Sequence, residues 1–432
     1  MKNKLIPLML FPIVSSIFAE TINEVNIDDN LTWNESQASV TGTDWSFWLR
    51  PNSEGGFFNY EAENGILDIS GNAIVGNPNT GSISDKTASI NFLGFGNRIN
   101  FASGKEILIG RVNDGNTGNN FSMNIESSRS DAKNILTADE IYVYGGLNYN
   151  GNSASTAQSI LAFNGNTVLQ ANNSLGTDIY LNPKTADYTN IWYGNWGGYN
   201  GGTAKFLVSS ANNNLNIKDL FMNDTKDSNV SFINSPKSVW EISDAGNHII
   251  LDNLYINRSK ENASSLIKIA AGNTINVSSD IYAGMEDNLR FEDVFDIATL
   301  DLSNGTLFAF KSDASASVST INGSGGVLNI DAFLFLDFTD VSLEEGFSTS
   351  NMLFDGFSSI SGSILQNVYL TFDGESYFSL SDGKFSNEIY EFVLNGTNGG
   401  LGYTLTIIPE PSAYAAIFSL FALIVLIYRR NK

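Results

Sequence analysis

The chain has 432 residues, which is enough for one large domain or two medium ones with a sizeable core. Hydrophobic residues make up 42% and charged residues 16%, and 39 glycines stand against 8 prolines, a composition typical of β-rich proteins with many turns. The net charge of −23 argues against nucleic-acid binding. Because cysteine is absent and His248 is the single histidine, disulfides, thiol nucleophiles and sites that need two imidazoles are excluded.

Residues 1–19 have the pattern of a secretory signal peptide. Lys2 and Lys4 form a basic start, and an apolar run broken by prolines follows. Ala19 is then the small residue before the polar Glu20. We predict cleavage after Ala19 and export by the Sec machinery, since this run is too short and too interrupted for a stable membrane span.

Residues 20–337 contain a degenerate repeat. Each copy has an acidic residue or Asn, then Ile or Leu, an aromatic residue or Leu, any residue, and often Asn or Gly. The copies begin at positions 106, 140, 178, 219, 253 and 280. A second short strand precedes most copies and is introduced by an asparagine, as at Asn97, Asn214, Asn247 and Asn273. Each unit is therefore strand, corner, strand and a polar loop of variable length.

This repeat predicts an all-β fold in which residues 20–337 form a right-handed parallel β-helix. Each coil of such a solenoid buries its apolar positions only against its neighbours, so residues 107, 141, 179 and 220 should stack. Asparagines beside the corners suit turn conformations and can form ladders between coils. In composition the body resembles the passenger regions of Gram-negative autotransporters. The alternative is a pair of tandem antiparallel β-sandwiches, whose strands also recur at regular intervals.

Residues 338–407 differ from the repeat because they are rich in Phe and Tyr. The strand-like stretches of this segment are joined by Asp373-Gly374 and Asp382-Gly383, and Asp-Gly pairs favour hairpin turns. We predict an antiparallel β cap that closes the open edge of the solenoid.

Candidate binding chemistry in the body is concentrated in one glycine-rich loop. Its aromatic side chains are those of Trp192, Tyr193, Trp196 and Tyr199. Flat rings presented by such a loop could contact a glycan, and the alternative is a loop packed onto its own solenoid. Segment 113–119 is rich in Asn, Asp and Gly and could hold a structural calcium ion, but it lacks the later glutamate of an EF-hand, so a solvated turn is the alternative.

No catalytic residue, metal ligand or cofactor is assigned from the sequence. His248 lies beside an apolar stretch without a neighbouring nucleophile motif, which favours an ordinary strand or loop histidine. Carboxylate pairs such as Asp337 with Asp340 have no diagnostic spacing. We therefore expect a protein that is not an enzyme.

Residues 408–432 have three parts in a fixed order. Pro409, Glu410 and Pro411 form an extended, exposed stretch that a protease could grip. Residues 414–428 are uncharged and largely apolar, and they predict a short transmembrane helix. The chain ends in a basic cluster of Arg429, Arg430 and Lys432. By the positive-inside rule, this cluster places the end of the chain in the cytoplasm and the body in the periplasm.

This tail resembles the PEP-CTERM sorting signal of Gram-negative bacteria. The resemblance implies that an exosortase recognises Pro409, Glu410 and Pro411 in a precursor anchored in the inner membrane and removes the tail. It also implies an association with exopolysaccharide and biofilm systems. We expect a structural or adhesive protein of the cell surface or extracellular matrix. The alternatives are a polysaccharide-active β-helix enzyme and a non-catalytic glycan-binding protein.

Overall fold

A computed structural model describes the chain over residues 20–27, 30–48, 55–76, 86–110, 119–145, 157–182, 202–223, 237–257, 263–284, 289–297, 299–302, 304–342, 346–397, 399–408, 419–424 and 429–430. Within these ranges β-strands dominate, and the helices are short. They include an α-helix at Phe291–Val294 and a 3-10 helix at Ile364–Gln366. The prediction of an all-β protein is confirmed.

Most strands belong to eleven coils, each of which passes through three ladders of strands. Coils one to three contain β1 (Glu20–Ile22), β2 (Val25–Asn26), β3 (Leu31–Trp33), β4 (Gln37–Val40), β5 (Trp45–Trp48), β6 (Gly55–Tyr60), β7 (Ile66–Ile69), β8 (Asn72–Val75) and β9 (Thr87–Phe92). Coils four to six contain β10 (Arg98–Phe101), β11 (Glu106–Ile109), β12 (Asn120–Ile125), β13 (Asn134–Thr137), β14 (Glu140–Val143), β15 (Gln158–Phe163), β16 (Thr167–Gln170), β17 (Thr177–Leu181) and β18 (Thr203–Val208).

In coils seven and eight, one long strand runs through the first two ladders. These coils contain β19 (Asn214–Met222), β20 (Lys237–Ile242), β21 (His248–Ile256) and β22 (Ser264–Ala270). Coils nine to eleven contain β23 (Thr274–Val277), β24 (Ile281–Ala283), α1 (Phe291–Val294), β25 (Phe295–Asp296), β26 (Asp301–Leu302), β27 (Gly305–Lys311), β28 (Ile321–Gly323), β29 (Val327–Ile330), β30 (Phe333–Asp337), β31 (Ser348–Asp355), β32 (Ser359–Ser361) and β33 (Val368–Thr371). Four strands follow, namely β34 (Phe378–Ser379), β35 (Lys384–Ser386), β36 (Tyr390–Gly396) and β37 (Leu401–Ile407).

Equivalent strands of successive coils pair in parallel and in register. In the second ladder, Ile107 is opposite Ile141, Ile141 is opposite Ile179, and Ile179 is opposite Leu220. The predicted stacking of these four positions is confirmed. Long parallel sheets are compatible with a β-helix or solenoid, whereas tandem β-sandwiches would require antiparallel pairing.

The core follows from the alternation of residues along each strand. In β12, Phe121, Met123 and Ile125 are buried, while the residues between them point to the other face of the strand. Because strands stack in register, buried side chains meet equivalents from neighbouring coils, as Met123 does with Ile90 on one side and Leu161 on the other. One continuous core therefore extends from Val25 to Leu405.

Asparagines line the corner that precedes the first ladder. The buried members of this column are Asn97, Asn134, Asn213, Asn247 and Asn273. The Oδ1 atom of Asn134 accepts the N–H of Asn97 at 2.9 Å, and that of Asn273 accepts the N–H of Asn247 at 3.0 Å. Each of these amides therefore satisfies a buried backbone donor of the preceding coil, which confirms the predicted ladders between coils.

A second asparagine column follows the second ladder. Asn182, Asn223 and Asn257 are buried and have positive φ angles of 43–49°. The chain turns sharply at these residues, and asparagine tolerates this left-handed conformation better than most residues. The turn role predicted for asparagines beside the corners is confirmed at these three positions.

The parallel pairing extends beyond residue 337, where we expected the antiparallel segment to begin. The strands β31, β32 and β33 pair in parallel with the coil before them. Antiparallel pairing then joins β33 to β34, β35 to β36, and β37 to both β31 and β36. At Asp382-Gly383 both residues have positive φ, and Ser381 and Lys384 exchange two backbone hydrogen bonds, so the predicted hairpin turn forms there.

An insertion between β24 and β27 covers part of the third ladder. It contains α1, β25 and β26, and its Phe291 is fully buried against outward-facing aromatic residues of β30 and β33. The ring of Phe291 stacks on Tyr369 at 3.9 Å and lies 6.0 Å from Phe335. These coils consequently have apolar side chains on both faces of the ladder, a departure from the simple alternation.

Candidate functional site

The repeat places a column of acidic and amide side chains at the start of the second ladder. Its members are Asn72, Glu106, Glu140, Asp178, Asp219, Asn253 and Asp280, which we call the acidic column. In each strand the next residue is buried in the core, so the acidic position lies on the opposite face of the strand. The acidic residues of successive repeat copies thus lie in one line across successive coils.

Side-chain oxygens of this column accept backbone N–H groups from the following coil. Oδ1 of Asp178 accepts from Asp219 at 3.2 Å, and Oδ1 of Asn253 accepts from Asp280 at 3.1 Å. Oδ1 of Asp280 in turn accepts the N–H of Val327 at 2.7 Å. These carboxylate and amide oxygens join successive coils, which is a structural role.

Lys218 is a positively charged residue that lies beside the acidic column. Its Nζ lies 3.1 Å from Oδ2 of Asp178 and 3.7 Å from Oδ2 of Asp219. Partial burial alone would lower the pKa of Lys218, but the hydrogen bond and charge of Asp178 together with Asp219 raise it overall. This lysine therefore offsets repulsion between two carboxylates on adjacent coils.

Asp139 links three coils just before the acidic column. Its carboxylate accepts hydrogen bonds from the N–H of Gly104 and the hydroxyl of Ser103, both at 3.0 Å, and from the N–H of Asn172 at 2.8 Å. Partial burial alone would raise the pKa of Asp139, but the two N–H donors and Ser103 lower it overall.

Two residues after each of the last five members of the acidic column, aromatic rings form a second column. Tyr142 stacks on Tyr180 at 4.5 Å, Tyr180 on Phe221 at 4.8 Å, and Phe221 on Tyr255 at 5.1 Å. Tyr282 continues the stack 5.9 Å from Tyr255. We call these five residues the aromatic column. The ring spacing follows the spacing of neighbouring strands.

The phenol groups of this column lie beside the carboxylates. The hydroxyl of Tyr142 donates to Oε2 of Glu140 at 2.7 Å. Burial raises the pKa of Tyr142, and the hydrogen bond to Glu140 raises it further. Burial followed by the charge of Asp178 raises the pKa of Tyr180. Both phenols are therefore kept neutral at physiological pH.

This stacking decides what the aromatic column can do chemically. Inside the column, each ring has neighbouring rings against both faces, and Phe221 is 1% exposed. A sugar that stacks on an aromatic residue needs a free ring face, and the interior rings present none. The column is therefore suited to holding coils together.

The predicted glycan-contacting residues Trp192, Tyr193, Trp196 and Tyr199 lie outside the described residues. The same is true of Ala19, of Pro409, Glu410 and Pro411, and of Lys432. Segment 113–119 is described only at Asn119, whose Oδ1 accepts the N–H of Lys86 at 2.8 Å. The predictions attached to the undescribed residues stay predictions.

Part of the predicted transmembrane segment 414–428 is described. Residues 419–424 are helical and exposed, as are Arg429 and Arg430. None of the helical stretches within the described ranges has the length and hydrophobicity needed to span a bilayer.

Other residues considered for chemistry lie in structural roles. His248 begins β21, as expected for a strand histidine. Asp337 accepts hydrogen bonds from Thr339, and Asp340 lies 2.9 Å from Lys311, so this pair does not act as two free carboxylates. Within the part of the chain that the structure describes, no three His, Asp or Glu side chains are grouped to hold a metal ion.

Sequence reasoning did not identify Lys218 or Asp139. Lys218 and Asp139 each lie directly before a copy of the repeat. The charged residues that precede the copies were therefore the sequence signal that could have identified them. Their partners come from coils 33 to 40 residues away, which the repeat alone does not reveal.

Comparisons with known proteins return no relatives: no family model, no curated protein and no solved structure matches this chain.

Proposed function

We propose that this chain is an exported structural or adhesive protein of the cell surface or extracellular matrix, and that an exosortase sorts it through residues 408–432. Its body would be a right-handed parallel β-helix with an antiparallel β cap. The N-terminal pattern that ends at Ala19 and the Pro409-Glu410-Pro411 tail support export and sorting.

One observation carries the structural part of this proposal, namely that polar and aromatic groups are used to join coils. A hydrogen-bonded chain runs from Nδ2 of Asn182 to the hydroxyl of Ser238 at 3.2 Å and from there to Oδ1 of Asn223 at 2.7 Å. It continues from Nδ2 of Asn223 to the hydroxyl of Ser265 at 2.9 Å and from there to Oδ1 of Asn257 at 3.0 Å. Together with the aromatic column, this series of hydrogen bonds supports a structural role as a stiff rod rather than a catalytic role in a reactive cleft.

The sorting part is tested by intact mass and cell fractionation in a host that has an exosortase. The parent protein should lose residues after the Pro409-Glu410-Pro411 motif and leave the membrane fraction. Replacing all three motif residues with alanine should trap a membrane-bound form that retains Lys432. Ser412→Ala is the matched control and should be processed like the parent. A mature parent protein that still ends in Lys432 would show that the tail is a plain anchor.

The structural part is tested with the purified mature protein and a panel of acidic and neutral glycans. We expect no new reducing ends and no unsaturated sugars, with or without calcium. Appearance of either product would replace the structural proposal with the alternative of a polysaccharide-active enzyme.

A further inference from the structure

The body ends where the last strand of its antiparallel segment ends. The last strand, β37, lies between β31 and β36. At its end, the N–H of Ile407 donates to the carbonyl of Phe347 at 2.9 Å, and the N–H of Ile408 donates to the carbonyl of Ile389 at 2.7 Å. Phe347, Ile408 and Ile389 therefore lie at the same end of the sheet, where the chain leaves the body.

We call these three apolar residues at the end of the sheet the exit rim. By the strand register, Phe347 is opposite Ile407 and Ile389 is opposite Ile408, so Phe347 and Ile389 start on opposite faces of that end. The side chain of Phe347 is 44% exposed and that of Ile389 is 52% exposed, while Ile408 is half-buried. Exposed apolar residues that cluster on a surface mark contact sites more often than single ones do. Here two of the large exposed apolar residues of the body, Phe347 and Ile389, lie beside Ile407 and Ile408 at the end of the last strand.

The sequence after the exit rim limits where the rim can be. Only six peptide bonds separate Ile408 from Tyr414, the first residue of the apolar run. Fully extended, they span at most about 20 Å. The headgroup layer of one leaflet is roughly 6 Å thick. Once the apolar run is in the bilayer, the rim is held close to the membrane surface, where the local concentration of lipid is high.

We propose that the exit rim docks on the lipid surface, with Phe347 and Ile389 entering the headgroup region beside the tail. This inference rests on the proposed function, because it requires residues 414–428 to be inserted. Glu388 and Glu391 are exposed next to the rim, so anionic headgroups would be repelled. The chemistry therefore favours a zwitterionic lipid surface.

Because the chain has no cysteine, single introduced cysteines can report the depth of chosen sites. The chain without its signal peptide but with the tail still attached, residues 20–432, is placed in phosphatidylcholine vesicles with an environment-sensitive fluorophore at one of three positions. Ile389→Cys probes the rim and Ser419→Cys probes the tail. Leu175→Cys is the matched control, since Leu175 is 56% exposed but belongs to coil six. Quenching by a headgroup nitroxide and by a water-soluble nitroxide is then compared.

We expect the headgroup nitroxide to quench the label at position 389. Quenching of that label by the water-soluble nitroxide should be weaker than at position 175 by ~3-fold or more. Phe347→Ser should reduce that protection, and Leu175→Ser should leave it unchanged. If position 419 is quenched by lipid and position 389 behaves like position 175, the docking inference is wrong and the inserted tail stands. If position 419 is not quenched by lipid, the tail is not inserted and the proposed sorting function is wrong as well.

A second copy of the chain is the competing occupant of the rim. Protection of position 389 that appears only at high protein density per vesicle would identify that copy and overturn the lipid assignment. Protection that is independent of density supports docking on lipid.

Discussion

Asn223 offers the sharpest test of the hydrogen-bonded chain between coils. Its side chain is fully buried, its φ angle is 47°, and it follows β19 at a corner. Nδ2 donates to the carbonyl of Ser264 at 2.7 Å and to the hydroxyl of Ser265 at 2.9 Å. Oδ1 accepts the hydroxyl proton of Ser238 at 2.7 Å. Asn223→Ala removes all three bonds and puts alanine in a left-handed conformation that asparagine tolerates better.

The magnitude follows from these two effects. A buried polar group that loses its partner costs about 1–3 kcal/mol, and two or three groups are affected. The hydroxyls of Ser238 and Ser265 keep other partners, which reduces the loss. The left-handed conformation costs alanine about 1–2 kcal/mol, and because asparagine bears part of that cost as well, only the difference between the two residues counts. We therefore expect Asn223→Ala to lower the free energy of unfolding by ~3–5 kcal/mol.

The assay is urea unfolding of the mature protein followed by far-UV circular dichroism. Asn223→Gly removes the bonds but suits the left-handed conformation, so it should be about 1 kcal/mol less destabilising than Asn223→Ala. Asn212→Ala is the matched control, because Asn212 also has a positive φ but is exposed. If Asn223→Ala were no more destabilising than Asn212→Ala, the buried hydrogen bonds between coils would not stabilise the protein.

Three further variants test other parts of the molecule. Ile281→Asp buries an unpaired charge between Leu254 and Leu328 and should cost several kcal/mol (~4) in urea unfolding; a variant that unfolds like the parent would contradict the stacked core. Because its pKa is lowered on folding, Asp139 stabilises the fold above about pH 4 and loses this effect as the pH falls through its folded value, so Asp139→Asn should weaken the acid dependence of stability, and an unchanged pH profile would refute this. Trp192→Ala with Trp196→Ala should weaken retention on immobilised polysaccharide if the aromatic loop contacts glycans, and equal retention would remove that alternative.

The sequence alone was sufficient to predict which residues stack on one another in the second ladder. In each copy of the repeat, the Ile or Leu lies between an acidic residue or Asn and an aromatic residue or Leu, so strand alternation places it on one face and those two on the other. This is why Ile107, Ile141, Ile179 and Leu220 could be aligned before any pairing was known. The asparagines that follow the copies marked the corners for the same local reason.

Which coils bond to one another was decided by the tertiary structure. The loops between strands vary in length, so the sequence separation of stacked residues varies too, and a partner such as Asp178 for Lys218 has no local signal. The parallel pairing of β31 to β33 was missed for a similar reason, since aromatic content does not distinguish a parallel ladder from a hairpin. The exit rim likewise exists only because pairing brings Phe347 and Ile389, distant in sequence, to the end of one strand.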